Sequence, residues 1–405
     1  MTIMSKPLEG VKVVDLTYYV AGPGTARILA DWGADVIKVE PPAGEPGRTT
    51  SLTLGMPAND DINPYFGVFN TNKRDIALNL KTDEGKMILD KMLSEANVFV
   101  TSFRPGALKR LGLDYETMHT RHPHIVWASI NGFGDYGPDK DNAGFDTVAF
   151  WAKSGAMLDL VEADTSPINP TLAYGDSVTA CSLSGGIAAG LYKQLKTGEG
   201  CKVLVSLYAQ GLWNLSSVIA SAQFGDTYPK SRLTPNTPMV NSYKTSDGKW
   251  TFTSVFDDRL YPVYLEKVVG RPDLATDERY NNPVGAKEHT AELVKIFEEE
   301  FGKITQEELI ARLKGADIAY EKINHAADAV TDPQALANKY IVEYTHRGGQ
   351  KTMTTVPPVK FDTIDVEFRY DYPLVGEHTV EILKDLGYTD EQIKGWCNSG
   401  VCYAR

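Results

Sequence analysis

The sequence predicts an α/β protein: a large domain on a doubly wound parallel sheet, joined to a smaller α+β domain. Three observations carry this. Short apolar, β-branched runs alternate with helix-period segments from residue 11 to residue 130, the pattern of βαβ units. At 405 residues the chain exceeds the roughly 250–300 residues that a single core usually serves. Beyond residue 236 the alternation gives way to a hairpin and consecutive helices, which marks a change of architecture.

Taken in order, "VKVVDL" (11–16) is the first strand, "AGPG" (21–24) a turn, "TARILADWG" a helix closed by glycine, and "ADVIKVE" (34–40) the next strand. A parallel pair joined in this way needs a right-handed crossover. The unit recurs at "TDEGKMILDKMLSEANVFVTSF", a helix leading into a strand at 98–103, and at "HPHIVWASI", a strand entering the loop "NGFGDYGPDKDNAGFD". Ligands of such sheets lie beyond the carboxyl ends of the strands, so a site is expected in the loops after Leu16, Val100 and Ile130. A helix is expected from Asp176, a strand at "KVLVSLY", and one long helix over 206–225 before the proline-rich connector "TYPKSRLTPNTP". A hairpin turns at Asp247-Gly248. Helices follow near 258–270, 288–301 and 305–314, and two short ones flank Gly387. The expected organisation is a large domain over 1–205, a helix and connector over 206–235, a small domain over 236–320 and a return to the large domain over 321–405.

Composition excludes several classes of function. A formal charge of -12 leaves no broad basic face for nucleic acid or an anionic membrane. No window approaches 18 uninterrupted apolar residues, and "MTIMSKPLEG" lacks the apolar stretch of a signal peptide, which points to the cytoplasm. The four cysteines show no CxxC spacing and read as reduced thiols. Neither they nor the histidines form a ligating motif, so no metal is expected.

Gly22 and Gly24, with Glu40 ending the next strand, outline a dinucleotide-binding turn. The third glycine position is Arg27, whose side chain would block the close helix–strand packing that glycine permits, so no nicotinamide is expected. A helix N-terminus facing some other phosphate ligand fits better. Lys73 and Arg74 in "NTNKRDIALNL", with Arg104, Lys109 and Arg110 in "TSFRPGALKRLG", would supply the local positive field that a polyphosphate needs; singly, each also reads as a solvated surface charge. Asp176, in "AYGDSVTACSLSGGIAAGLY", has the sequence order of a helix N-cap. That role is compatible with chemistry, because the amides of a helix start stabilise an anion. Ala180, Ser184, Gly185 and Ala189 would let this helix pack closely.

With these residues assembled, the chain resembles the family III CoA-transferases over essentially its whole length. The resemblance runs through "PLEGVKVVDLT", "AGPGTARILADWGADVIKVEPP", "NKRDIALNLKTDEGK", "RPGALKRLGLDYE", "NGFGDYGP", Gly175-Asp176, "KTGEGCKV" and "PLVGEHTVEILKDLGY". It implies a Rossmann-like large domain built from both chain ends, an interlocked homodimer, coenzyme A as co-substrate, and acyl-CoA and carboxylic acid substrates. Asp176 takes the position of the family's catalytic aspartate, which attacks the thioester to give a mixed anhydride and then an aspartyl-CoA thioester. Lys73 or Arg74 and Arg110 match positions near the CoA phosphates, and Arg104 is counted with them. Val20, Ala21 and Gly22 lie beside the pantetheine channel. Members that use formyl-CoA carry Gln where Val20 stands and Arg where Pro41 stands.

The related α-methylacyl-CoA racemases place a proton-transferring His where Phe145 stands here. An aromatic ring cannot abstract a proton, so transfer is expected rather than racemisation. "GPDKDNAGFDTVAFWAKSGAM" and "TPNTPMVNSYKTSDG" look closer to the transferases of amino-acid-fermenting anaerobes, which pass CoA between 2-enoyl or aryl-acryloyl acids and (R)-2-hydroxy acids. Formyl, oxalate-, succinyl- or carnitine-type acids are the alternatives. Tyr18, Tyr19 and Phe145 would line an apolar acyl pocket, with Phe150 and Trp151 beside them, although aromatics at such spacing also serve as core.

Overall fold

The computed structural model describes residues 6–362 and 364–405; the opening stretch considered above for a leader lies partly outside them. The chain forms two compact units, one of Met1–Ala156, Asn169–Ile219 and Val330–Arg405, the other of Met157–Ile168 and Ala220–Ala329.

The first unit is built on a seven-stranded sheet. In chain order its strands are β1 (Lys12–Leu16), β2 (Asp35–Glu40), β3 (Arg74–Leu78), β4 (Val98–Thr101), β5 (Val126–Asn131) and β6 (Lys202–Ser206), all parallel where they pair. In space they run β3-β2-β1-β4-β5-β6, so the direction of winding reverses between β1 and β4. Loops leaving the carboxyl ends of those two strands diverge there and open a crevice. The chain's last strand, Cys402–Tyr403, pairs antiparallel with β3 and closes that edge.

Strand alternation divides the core into two layers. Val13, Val36, Val98, Val100, Val126, Ala128 and Ile130 face a cluster that holds the first helix, Ala21–Asp31, and the long helix, Tyr174–Thr197. Val14, Leu16, Val39, Ile76, Leu78, Phe99 and Trp127 face the other layer, which includes the helix Asp83–Glu95 and the C-terminal helices Thr379–Asp385 and Asp390–Ser399. Both sheet faces are covered, which is why the parallel strands read as continuous apolar runs.

Close packing of the long helix comes from glycines other than the expected ones. Cβ atoms added at Gly186 and Gly190 would lie 2.7 Å from Val203 and 2.8 Å from Val126, whereas Gly185 and Ala189 are exposed. At the first helix, a Cβ on Gly24 would lie 3.3 Å from that of Ala180. The two helices are thereby brought side by side, with their N-termini near the crevice.

The second unit carries an antiparallel sheet of β7 (Asn241–Lys244), β8 (Trp250–Ser254) and β9 (Ala319–Lys322). Its core centres on the rings of Tyr243, Tyr264, Phe297 and Phe301, which pack edge-on or tilted against one another. Met157–Ile168 belongs here and not to the large domain where the sequence places it. The physical reason is local: Glu162 accepts from the backbone N–H of Arg232 at 2.9 Å, and the N–H of Ala163 donates to the Lys230 carbonyl at 3.0 Å. The single helix expected over 206–225 is two, Leu207–Asn214 and Ser216–Ala222, split at Leu215.

Candidate active site

At the carboxyl ends of β1, β4 and β5 the first unit opens into a cleft of about 340 Å³. Tyr18, Tyr19, Val20, Ala21 and Gly22 line it from the loop after β1. Ser102, Phe103, Arg104 and Pro105 enter after β4, and Asn131, Gly132, Lys140, Asn142, Gly144 and Phe145 after β5; Asp176 faces it from the long helix. Eight of the residues singled out in the sequence, Tyr18, Tyr19, Val20, Ala21, Gly22, Arg104, Phe145 and Asp176, therefore share one space. The turn is tight: a Cβ on Gly22 would fall 2.5 Å from that of Thr17.

Asp176 is not the N-cap of its helix. The cap is Ala173, in a left-handed conformation at φ 68°, and the helix begins at Tyr174, which makes Asp176 its third residue. The first turn closes through Ser177 N–H to the Ala173 carbonyl at 2.9 Å. The cap residue makes no side-chain hydrogen bond to this helix start, and the carboxylate nearest its first amides is that of Asp146.

Asp146, unremarked in the sequence, is the second carboxylate of the site. It starts a π-helical segment, Asp146–Ala152, of the kind that recurs at functional positions. Both of its oxygens are buried and neither has a hydrogen-bond partner among the described residues; the indole N–H of Trp151 is likewise unpaired. Burial raises its pKa from the ordinary 3.8 to about 6, against the pull of the backbone N–H groups of Gly175, Asp176 and Ala173 and of the Trp151 indole. Those donors lie near the carboxylate but short of hydrogen-bond geometry. Asp176 is raised from 3.8 to about 7, first by burial and then by the charge of Asp146. Tyr65 completes the group: burial, and then Asp176 and Asp146, push its phenol up to about 12. Asp146 and Asp176 therefore both bear on the Tyr65 phenol, and Asp146 on Asp176. Only the adjacency of Asp146 to Phe145 and the glycine before Asp176 hint at this in the sequence.

Three expected CoA contacts are not in the cleft. Lys73 is fully buried; its ammonium donates to Asp15 at 2.9 Å, to the Pro23 carbonyl at 2.8 Å and to Asn70 at 2.9 Å. Arg74 begins β3 and pairs with Asp35 at 2.7 Å, Glu381 at 2.7 Å and Asp385 at 3.0 Å. It stands at the amino end of its strand, the wrong end of a parallel sheet for the crevice. Arg110 and Lys109 lie exposed at the end of the helix Pro105–Leu111, outside the cleft lining. The basic residues that do line the cleft are Arg104 and Lys140, the second of which the sequence reading passes over. Phe150 and Trp151 are buried and pack against Tyr174, Phe150 edge-on and Trp151 tilted at 5.4 Å. Arg27, at the third glycine position of the dinucleotide pattern, is buried and pairs with Asp31 at 3.4 Å. Among the described residues no group of three or more His, Cys, Asp or Glu is placed to hold a metal, and no helix is long and apolar enough to cross a membrane.

The family model for CoA-transferase family III matches residues 8–379. The chain belongs to CoA-transferase family III. As a member of this family it is a transferase that uses CoA as co-substrate. It is 38% identical over 394 residues to the (R)-2-hydroxy-4-methylpentanoate CoA-transferase of Clostridioides difficile, covering 97% of this chain and 99% of that one. The cinnamoyl-CoA:phenyllactate CoA-transferase of Clostridium sporogenes is also 38% identical, with 95% of each chain covered. Among solved structures, a CAIB/BAIF family protein from Brucella suis superposes with a TM-score of 0.79 at 28% identity, over 95% of this chain and 100% of that one.

Proposed function

We propose that the cleft moves CoA from an acyl-CoA, of 2-enoyl or aryl-acryloyl type, to a free (R)-2-hydroxy acid, with Asp176 as the nucleophile. The observation that carries this is Asp176 itself: a partly buried carboxylate on the cleft, with no cation among the described residues offsetting its charge and with Asp146, a second carboxylate, acting on it. Its oxygen attacks the thioester carbonyl, the C–S bond breaks, and a mixed anhydride forms as CoA leaves as thiolate. Thiolate attack on the Asp176 carbonyl then frees the first acid and leaves an aspartyl-CoA thioester. The acceptor carboxylate opens that thioester to a second anhydride, which the thiolate resolves to product, restoring Asp176.

Burial and the neighbouring Asp146 favour this sequence. An ionised Asp176 is costly beside Asp146, and acylation removes that charge, so covalent capture relieves the repulsion. Asp176 lies in the first turn of the long helix, whose positive dipole end favours the oxyanion of each addition step. Arg104 and Lys140 at the rim suit the CoA phosphates, and the rings of Tyr18, Tyr19 and Phe145 suit an apolar acyl group. The named substrates of the two relatives at 38% identity support the acid class. Phe145, on the cleft, offers no proton acceptor for a racemase. A homodimer is the assembly proposed, as the resemblance implies.

Incubation with acyl-CoAs, trapping with hydroxylamine or borohydride and peptide mass spectrometry test the reading. Modification is expected at Asp176 alone, and Asp176→Ala is expected to transfer nothing. An unmodified Asp176 across a broad panel, with full activity of Asp176→Ala, overturns it. Assay of acceptor acids against one active donor tests the acid class, which a preference for oxalate or carnitine would refute.

A further inference from the structure

Behind the wall of the cleft lies a buried charge frame that the transfer steps do not use. Lys38 and Glu45 are both fully buried and form an ion pair at 2.8 Å. Burial works against the Lys38 charge, and Glu45, Asp15 and Glu40 together outweigh it. The Lys38 ammonium also donates to the Thr17 carbonyl at 3.0 Å. On the other side, Glu45 Oε2 accepts from the backbone N–H of Tyr19 at 2.8 Å and from that of Gly47 at 3.3 Å. The pair therefore grips the loop after β1 at two points that flank Tyr18.

Tyr19 needs that grip. Its φ is 68°, a left-handed conformation that a bulky side chain adopts only where its surroundings impose it. Gly47 provides the room: a Cβ there would lie 2.8 Å from Glu45 Oε2 and 3.2 Å from the Tyr19 Cα. Held this way, the Tyr19 ring stands in the cleft, 42% exposed, edge-on to Phe145, which is 52% exposed. Their centroids are 5.6 Å apart at 84°. This T-shaped pair joins the loop after β1 to the loop after β5, beside Asp146, and both rings line the same cleft as Asp176.

We propose that Glu45 is a specificity-determining positioning residue: anchored by Lys38, it sets the backbone of Tyr19 and so the aromatic wall that Tyr19 and Phe145 present to a branched or aryl acyl group. The proposal rests on the reading of this cleft as the transfer site. A short acyl chain does not reach such a wall, whereas a flat or branched one packs against it. Releasing Tyr19 therefore costs bulky donors more than small ones.

The test compares kcat/KM for 3-phenylacryloyl-CoA and for acetyl-CoA, with one acceptor acid, in the wild type, in Glu45→Gln and in Tyr19→Gly. Glycine keeps the left-handed backbone and the N–H to Glu45 while removing the ring. Both variants are expected to lower the aryl-to-acetyl ratio about tenfold, mainly through KM for the aryl donor, and the double variant to fall no further than either single one. An unchanged ratio in Tyr19→Gly overturns the proposal, as does a Glu45→Gln enzyme that slows both donors equally. Should Glu45→Gln not fold, Glu45→Asp, which keeps the charge but draws the carboxylate back from the Tyr19 N–H, takes its place under the same criteria. Wild-type enzyme that neither transfers CoA nor acylates Asp176 overturns the reading of the cleft, and this proposal with it.

Discussion

Asp146 lies so close to Gly175 that a Cβ at position 175 would sit 2.3 Å from its Oδ1 and 2.3 Å from the ring of Phe150. The residue before the proposed nucleophile must be glycine because the second carboxylate of the site is packed against its backbone. Gly175→Ala is expected to push Asp146 and Phe150 aside, costing about 1–3 kcal/mol of stability as overpacking does. Transfer should fall by at least about tenfold as the two carboxylates lose their relation. Thermal unfolding and steady-state assays check both.

Asp176 strains the ligand-free fold above neutral pH. Its folded pKa of about 7 lies above the ordinary 3.8, so the native state binds the proton more tightly than the unfolded chain. Stability therefore falls as pH rises from about 4 through about 7. Asp176→Asn removes this penalty while abolishing transfer. The variant is expected to be more stable than wild type at pH 8, by on the order of 1–3 kcal/mol, and the gain to fade below pH 4. Denaturant titrations at the two pH values measure it.

Catalysis should carry the opposite sign. Attack requires the carboxylate, so kcat/KM is expected to rise with pH through the Asp176 pKa, near 7 in the free enzyme. Asp146→Asn removes the like charge that contributes to that value and should move the acid limb to lower pH, the burial contribution remaining. A limb that stays in place would separate the two carboxylates functionally.

Lys73 and Arg104 should behave as different kinds of residue. Lys73→Met strips the buried partner from Asp15 and is expected to cost about 3–5 kcal/mol of stability. Arg104→Gln, at the exposed rim, should leave the melting temperature alone and raise KM for acyl-CoA about tenfold, the value of one charged hydrogen bond. Melting curves and Michaelis constants for the pair settle which cation serves the ligand.

Much of the large unit is legible in the sequence because its signals are local. "VKVVDL" and "ADVIKVE" declare strands by β-branched content, the glycine turn between them declares the crossover, and Asp176 is marked by a chain-long resemblance. Lys73 and Arg110 show where such reading stops. Both are basic residues in segments that the family resemblance brings to the CoA phosphates, and nothing within several residues of Lys73 announces that Asp15, 58 positions away, will neutralise it. The helix start misleads for a related reason: Asp176 has the order of a cap, but Asp146 and Phe150 press on Gly175 and the helix begins at Tyr174.

By itself the sequence determined most of the succession of strands and helices and the loops that would form a crevice, since periodicity and turn chemistry act over a few residues; the family resemblance supplied Asp176 as the proposed nucleophile. Tertiary structure alone decided which charges meet: Asp146 behind Asp176, Lys73 on Asp15, Glu45 beneath Tyr19. The sheet order β3-β2-β1-β4-β5-β6 lays segments distant in the chain side by side. In a buried site the charge of each group depends on its neighbours as much as on its own chemistry.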